Sequence, residues 1–175
     1  MALKEAAQLQ LDYTAWASER LLAAAAQLTE EELTRDFGSA DKSVLGTLLH
    51  VFGADRVWWR RLNGIEQRPF INDHERLLSG LQSAWTTVLG DWRRWAASIS
   101  EESLAADVTY TDSAGRVWTN PLWQIVNHVV NHGTHHRGQV SGFLRAMGRT
   151  PPPLDLIAYC REMQKAAGPK APPRG

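Results

Sequence analysis

Seven apolar residues, Leu78, Leu81, Trp85, Val88, Trp92, Trp95 and Ile99, follow one another in alternating steps of three and four. That spacing puts them on one narrow stripe of an α-helix over roughly residues 73–98, and a stripe of this kind is the seam of a helix packed lengthwise on a neighbour. The three Trp are therefore read as core, each needing a partner for its indole N–H. The chain holds eight Trp, enough for others to line a cleft or a subunit interface.

Three more segments carry helical signals. The first, about residues 2–28, is rich in Ala, Leu, Gln and Glu, all strong helix formers. Thr29-Glu-Glu-Glu marks a break, and Phe37-Gly-Ser-Ala-Asp reads as a loop. A second helix starts with Ser43 as N-cap and stops near Asn63-Gly64. The last opens at Asn120-Pro121, a cap residue followed by Pro at the first helical position, and ends at Met147-Gly148. Before it, Val108-Thr-Tyr-Thr-Asp and Gly115-Arg-Val-Trp can pair as a small hairpin, which must lean on the helices to be stable. After Pro151-Pro-Pro, residues 155–164 form a short fifth helix. The expectation is an all-α domain over residues 1–165 and a flexible tail over 166–175.

With 43% hydrophobic and 22% charged residues the chain is globular rather than disordered. Lys and Arg total 19 against 19 Asp and Glu, which gives no support to nucleic-acid binding. Cys160 is alone, so no internal disulfide forms, and its ordinary role is that of a small packed residue. The N-terminus is charged where a signal peptide is apolar, and its longest apolar run, Leu21 to Ala26, is far short of a span; the expectation is a cytoplasmic protein with no membrane partner.

Four of the six His fall on the last helix: His128, His132, His135 and His136. At about 100° per residue, with His128 at zero, the apolar residues fall between about 60° and 160°. On that wheel His136 lies near 80°, inside the arc, and His132 near 40°, at its edge, while His128 and His135 lie outside at about 0° and 340°. The polar residues, Arg137 among them, fill the opposite face. Two inward imidazoles one turn apart need partners for their nitrogens. A divalent metal meets that need, and so does a hydrogen-bonded core pair; the pattern leaves both open. A further ligand must come from another helix. His50 is the natural candidate, although apolar residues cover too much of its helix for a wheel to decide. His74 sits at a helix start, where capping or surface exposure is expected, and Asp55 lies about 140° round from His50, too far to share its ion. Gly133 follows His132 where a zinc protease has its general-base Glu, so that chemistry is disfavoured.

His50 within Leu-Leu-His-Val-Phe-Gly-Ala-Asp-Arg-Val-Trp, Asn131-His-Gly-Thr-His-His-Arg-Gly-Gln, and the ending Phe143-Leu-Arg-Ala-Met-Gly, a proline-rich turn and Asp155-Leu-Ile together resemble the DinB/YfiT-like family of proposed metalloenzymes. The resemblance covers most of the chain. It implies an up-down-down-up four-helix bundle, often dimeric, with one divalent metal on His50, His132 and His136. It also implies a small-molecule substrate and, by analogy with bacillithiol transferases and mycothiol-dependent maleylpyruvate isomerases, a low-molecular-weight thiol cosubstrate. Many relatives have no established reaction, and the DNA-damage part of the name is a regulatory label. Imidazole ligation suits zinc or nickel, as well as iron, manganese or cobalt. The expectation is a metal-dependent thiol S-transferase, with Asn131 and Gln139 as weaker candidates to support the ligands, the solvated helix face being the favoured reading of both. The rivals are a metal-dependent hydrolase, which lacks an obvious general base, and a non-catalytic metal-binding stress-response protein.

Overall fold

The seam of three- and four-residue steps becomes α4 (Leu78–Ser98), and its buried residues are Leu81, Trp85, Val88, Leu89, Trp92 and Ala96. In this computed structural model, which describes residues 2–65 and 70–168, α4 packs along α1 (Leu3–Ala25) and against α3 (Val44–Leu62). The fourth long helix, α6 (Leu122–Ala146), packs on α1 and α3. One hydrophobic core runs between these four helices. The indole N–H of Trp85 donates to the Asp55 carboxylate at 2.9 Å and that of Trp92 to the Asp55 carbonyl at 3.1 Å. Core tryptophans have thus drawn a carboxylate into the interior, where burial pushes its pKa up to about 7 against the opposing pull of Trp85 and Arg137.

The helix ends differ from the sequence expectation where local capping chemistry intervenes. The first helix stops at Ala25, and Thr29-Glu-Glu-Glu opens α2 (Glu30–Thr34): the Thr29 hydroxyl accepts from Glu32 N–H and the Glu32 carboxylate accepts from Thr29 N–H. The helix expected from residue 73 begins as a 3₁₀ turn, Asp73–Arg76, and becomes α-helical only after Leu77. Glu75 holds that turn, its carboxylate buried against Arg56 of α3 with contacts of 2.6 and 2.7 Å. His74 is exposed there. A short α5 (Glu101–Ala105) follows α4.

The expected hairpin forms, β1 (Asp107–Thr111) antiparallel to β2 (Val117–Pro121), with Val108 opposite Asn120 and Tyr110 opposite Trp118. Asn120 and Pro121 therefore end a strand, and α6 begins one residue later than the cap pattern suggests. The hairpin leans on the helices as its stability requires: the Tyr110 ring meets Trp58 of α3 edge-on at 4.9 Å, and Val108 packs against the helical core. α7 (Leu156–Ala166) closes the described chain, with Tyr159 against Tyr13 and Trp16 of α1 and Cys160 half-buried beside them. Ala166 ends α7, Ala167 and Gly168 form the turn that follows it, and the rest of the expected tail, 169–175, lies outside the described residues. Among the described residues no helix is long and apolar enough to cross a membrane.

Candidate metal centre

α3 and α6 lie side by side, and their facing histidines meet. The Nε2 atoms of His50 and His132 stand 2.9 Å apart. The ring centroids are 4.9 Å apart for His50 and His132, 4.4 Å for His50 and His136, and 4.5 Å for His132 and His136. One nitrogen from each ring falls within 4.8 Å of the others. The inward pair read from the wheel is thus joined by His50, the candidate whose own helix left the choice open. His128 and His135 flank the cluster, at ring distances of 5.8 Å from His132 and 4.9 Å from His136.

The donor set fits a divalent cation. Nitrogens bound at about 2.1 Å to one ion, with angles between octahedral and tetrahedral, are separated by about 3.0–3.4 Å, which the His50–His132 contact approaches. A single hydrogen bond between those two rings would leave the third without a share, whereas one cation serves all three. Burial, reinforced by the neighbouring imidazoles, lowers the His132 pKa to about 4; burial also lowers that of His136. Neutral rings offer lone pairs without competition from protons. His50 is exposed, with 43% of its side chain accessible, so the cluster opens to solvent on that side.

Two residues orient the rings. Gln139, one turn beyond His136, places its Oε1 2.7 Å from His136 Nδ1. Its role is therefore support of a ring, which corrects the expectation of a solvated face; Asn131 does lie exposed. The other is Asp41, which sequence reasoning placed only in a loop. Its carboxylate oxygens lie 3.4 Å from His50 Nδ1 and 3.7 Å from His136 Nδ1. A carboxylate facing both Nδ1 atoms favours the tautomer with the proton there and leaves Nε2 free for a ligand. The loop that carries Asp41 is tightly tied: Phe37 N–H donates to the Lys42 carbonyl, Lys42 sits at φ 63°, and Ser43 caps α3. Gly46 makes this approach feasible, because a Cβ there would stand 2.1 Å from the Asp41 carbonyl oxygen.

Arg137 is the second correction. The wheel put it on the polar face, yet only 2% of it is exposed. It folds back under α6, donating to Thr134 Oγ1 at 3.0 Å and approaching Ser18 of α1 at 3.4 Å, with Tyr13 and the charge of Asp55 nearby. Gly133 leaves its space: a Cβ there would come 2.6 Å from the guanidinium. The glycine at the position where a zinc protease has its Glu thus makes room for a buried cation between α6 and α1. Asp55 faces this interior and not the histidines, in keeping with its angular offset.

The DinB family model matches residues 3–169. The chain is 23% identical to Protein DinB of Bacillus subtilis (strain 168) over 154 residues, which cover 85% of this chain and 90% of the relative. It is 26% identical to the uncharacterized protein YizA of the same organism over 134 residues, covering 75% and 81%. The chain belongs to the DinB family.

Proposed function

We propose that this DinB-family protein is a metal-dependent transferase that joins a low-molecular-weight thiol to an electrophilic small molecule. In this reading its four long helices form the family's up-down-down-up bundle, and His50, His132 and His136 hold one divalent ion, zinc or nickel before others. The observation that carries it is the convergence of three imidazoles, with no carboxylate among the converging atoms, at a point open to solvent on one side. A cation on three neutral ligands keeps its double charge and open positions, and when bound it acidifies a thiol or a water.

The chain's residues then have separate tasks. Asp41 and Gln139 fix ring orientation from the Nδ1 side. His132, with a ring nitrogen committed to the ion, would be no reservoir for the thiol proton, and the side open to solvent is that of exposed His50. The test is conjugation of monobromobimane with a panel of small thiols, measured beside elemental analysis. The expected result is stoichiometric metal and turnover in the wild type, with both lost in His132→Ala. Undiminished turnover in that variant removes the reading.

One observation favours a second reading, hydrolysis. His128 lies one turn from His132, its pKa lowered by burial, and could serve as the general base absent from the sequence pattern. Ester cleavage without added thiol, lost in His128→Gln with metal retained, would select it over transfer.

A further inference from the structure

A line of rings leads away from the histidines. From His132 it passes to His128 at 5.8 Å, then edge-on to Trp58 at 5.3 Å and to Tyr110 of the hairpin at a further 4.9 Å. It ends at Arg61, whose guanidinium lies over the Trp58 ring at 4.9 Å and the Tyr110 ring at 5.9 Å. Beyond these rings a cleft of about 710 Å³ opens between the end of α3 and the hairpin, with Arg61, Tyr110, Thr109 and Thr111 in its walls.

The charge of this cleft is positive where a ligand would sit. Arg61 is half-buried and forms no ion pair among the described residues; burial lowers its pKa. A partly desolvated cation stacked on rings, which Asp112 reaches through its field but not through an ion pair, is a ready partner for an anion. Arg60 lines the same cleft. The cleft's acid, Asp112, is engaged in the turn: its oxygens accept from the N–H groups of Ala114 and Arg116, the Arg116 guanidinium and the Trp118 indole. Arg116 offsets its charge at 2.8 Å.

We propose that this cleft binds the carboxylate end of a flat, conjugated small molecule, with Arg61 as the residue that holds the carboxylate and Trp58 as the surface along which the molecule reaches toward the three histidines. The direction toward the histidines rests on the metal reading above; the cleft itself does not. Arg61 presents a planar fork suited to a carboxylate, and the Trp58 and Tyr110 rings suit a planar body.

The test is titration calorimetry with cinnamate, and with cinnamyl alcohol as the uncharged control, on the wild type, Arg61→Gln and His132→Ala, each checked by circular dichroism. Cinnamate is expected to bind the wild type at one saturable site and to weaken about tenfold or more in Arg61→Gln, while the alcohol is indifferent to that change. His132→Ala should bind cinnamate as the wild type does even when stripped of metal, so loss of the metal reading and loss of the cleft are read separately. If Arg61→Gln does not fold, Arg61→Lys replaces it and must also bind more weakly, since it keeps the charge but not the fork. Absence of saturable binding to the wild type, or undiminished binding to the Arg61 variant, overturns the proposal. In Co(II)-loaded protein the para proton of bound cinnamate should relax faster than the vinyl proton beside the carboxylate; the reverse order overturns the orientation.

Discussion

Replacing Glu75 by Gln should cost about 3 kcal/mol at neutral pH, a size that follows by two routes. Glu75 and Arg56 side chains are 5% and 9% exposed, and the carboxylate takes two guanidinium bonds at 2.6 and 2.7 Å plus Asn72 N–H at 2.7 Å. Breaking a buried pair by removing one charge typically costs about 3–5 kcal/mol. Independently, hydrogen bonding from Arg56 lowers the Glu75 pKa from 4.5 to about 2, and a fall of this size corresponds to about 3 kcal/mol at roughly 1.4 kcal/mol per unit. The lower end of the first range is favoured because Arg56 keeps its bond to the Phe70 carbonyl and its place over the Phe52 ring. The folded pKa is depressed, so this stabilisation is present above the unfolded value of 4.5 and is lost as pH falls toward 2. By pH 3.5 it should have dropped to about 2 kcal/mol. Thermal melts of wild type and Glu75→Gln should differ by roughly 6–12 °C at pH 7, and the gap should narrow steadily on acidification. A gap under 2 °C at pH 7, or one that stays constant down to pH 3.5, would refute the reasoning that this carboxylate is ionised and indispensable to Arg56.

Three other outcomes are expected. Asp41→Asn should leave the fold intact and weaken metal binding about 10- to 100-fold, measured by competition with a chromophoric chelator, because it removes the charge facing two Nδ1 atoms. Gly133→Ala should lose about 1–2 kcal/mol, seen as a lower denaturant midpoint, since its Cβ would push the buried Arg137 guanidinium off its bonds to Thr134 and Ser18, a cost that alanine's better helix propensity offsets only in part. Zinc in hundredfold excess over its Kd should stabilise the stripped wild type by about 2.7 kcal/mol and leave the melting temperature of His132→Ala unmoved; equal shifts in both would place the ion elsewhere.

The sequence alone determined the four long helices and the inward pair His132 and His136, because helical period is a local property of the backbone and apolar residues report it directly. The same wheel failed at Arg137. Its angle was right for a polar face, but a long side chain can fold beneath its helix where a glycine, Gly133, and the neighbouring α1 leave a polar hollow. Which face of α3 meets α6 was likewise beyond the pattern, since apolar residues surround His50; only packing joined it to the pair. Asp41 carried no periodic signal at all. Its place beside the histidines depends on a loop closing over a glycine of the following helix, and contacts between such distant segments arise from the tertiary arrangement that brings them together.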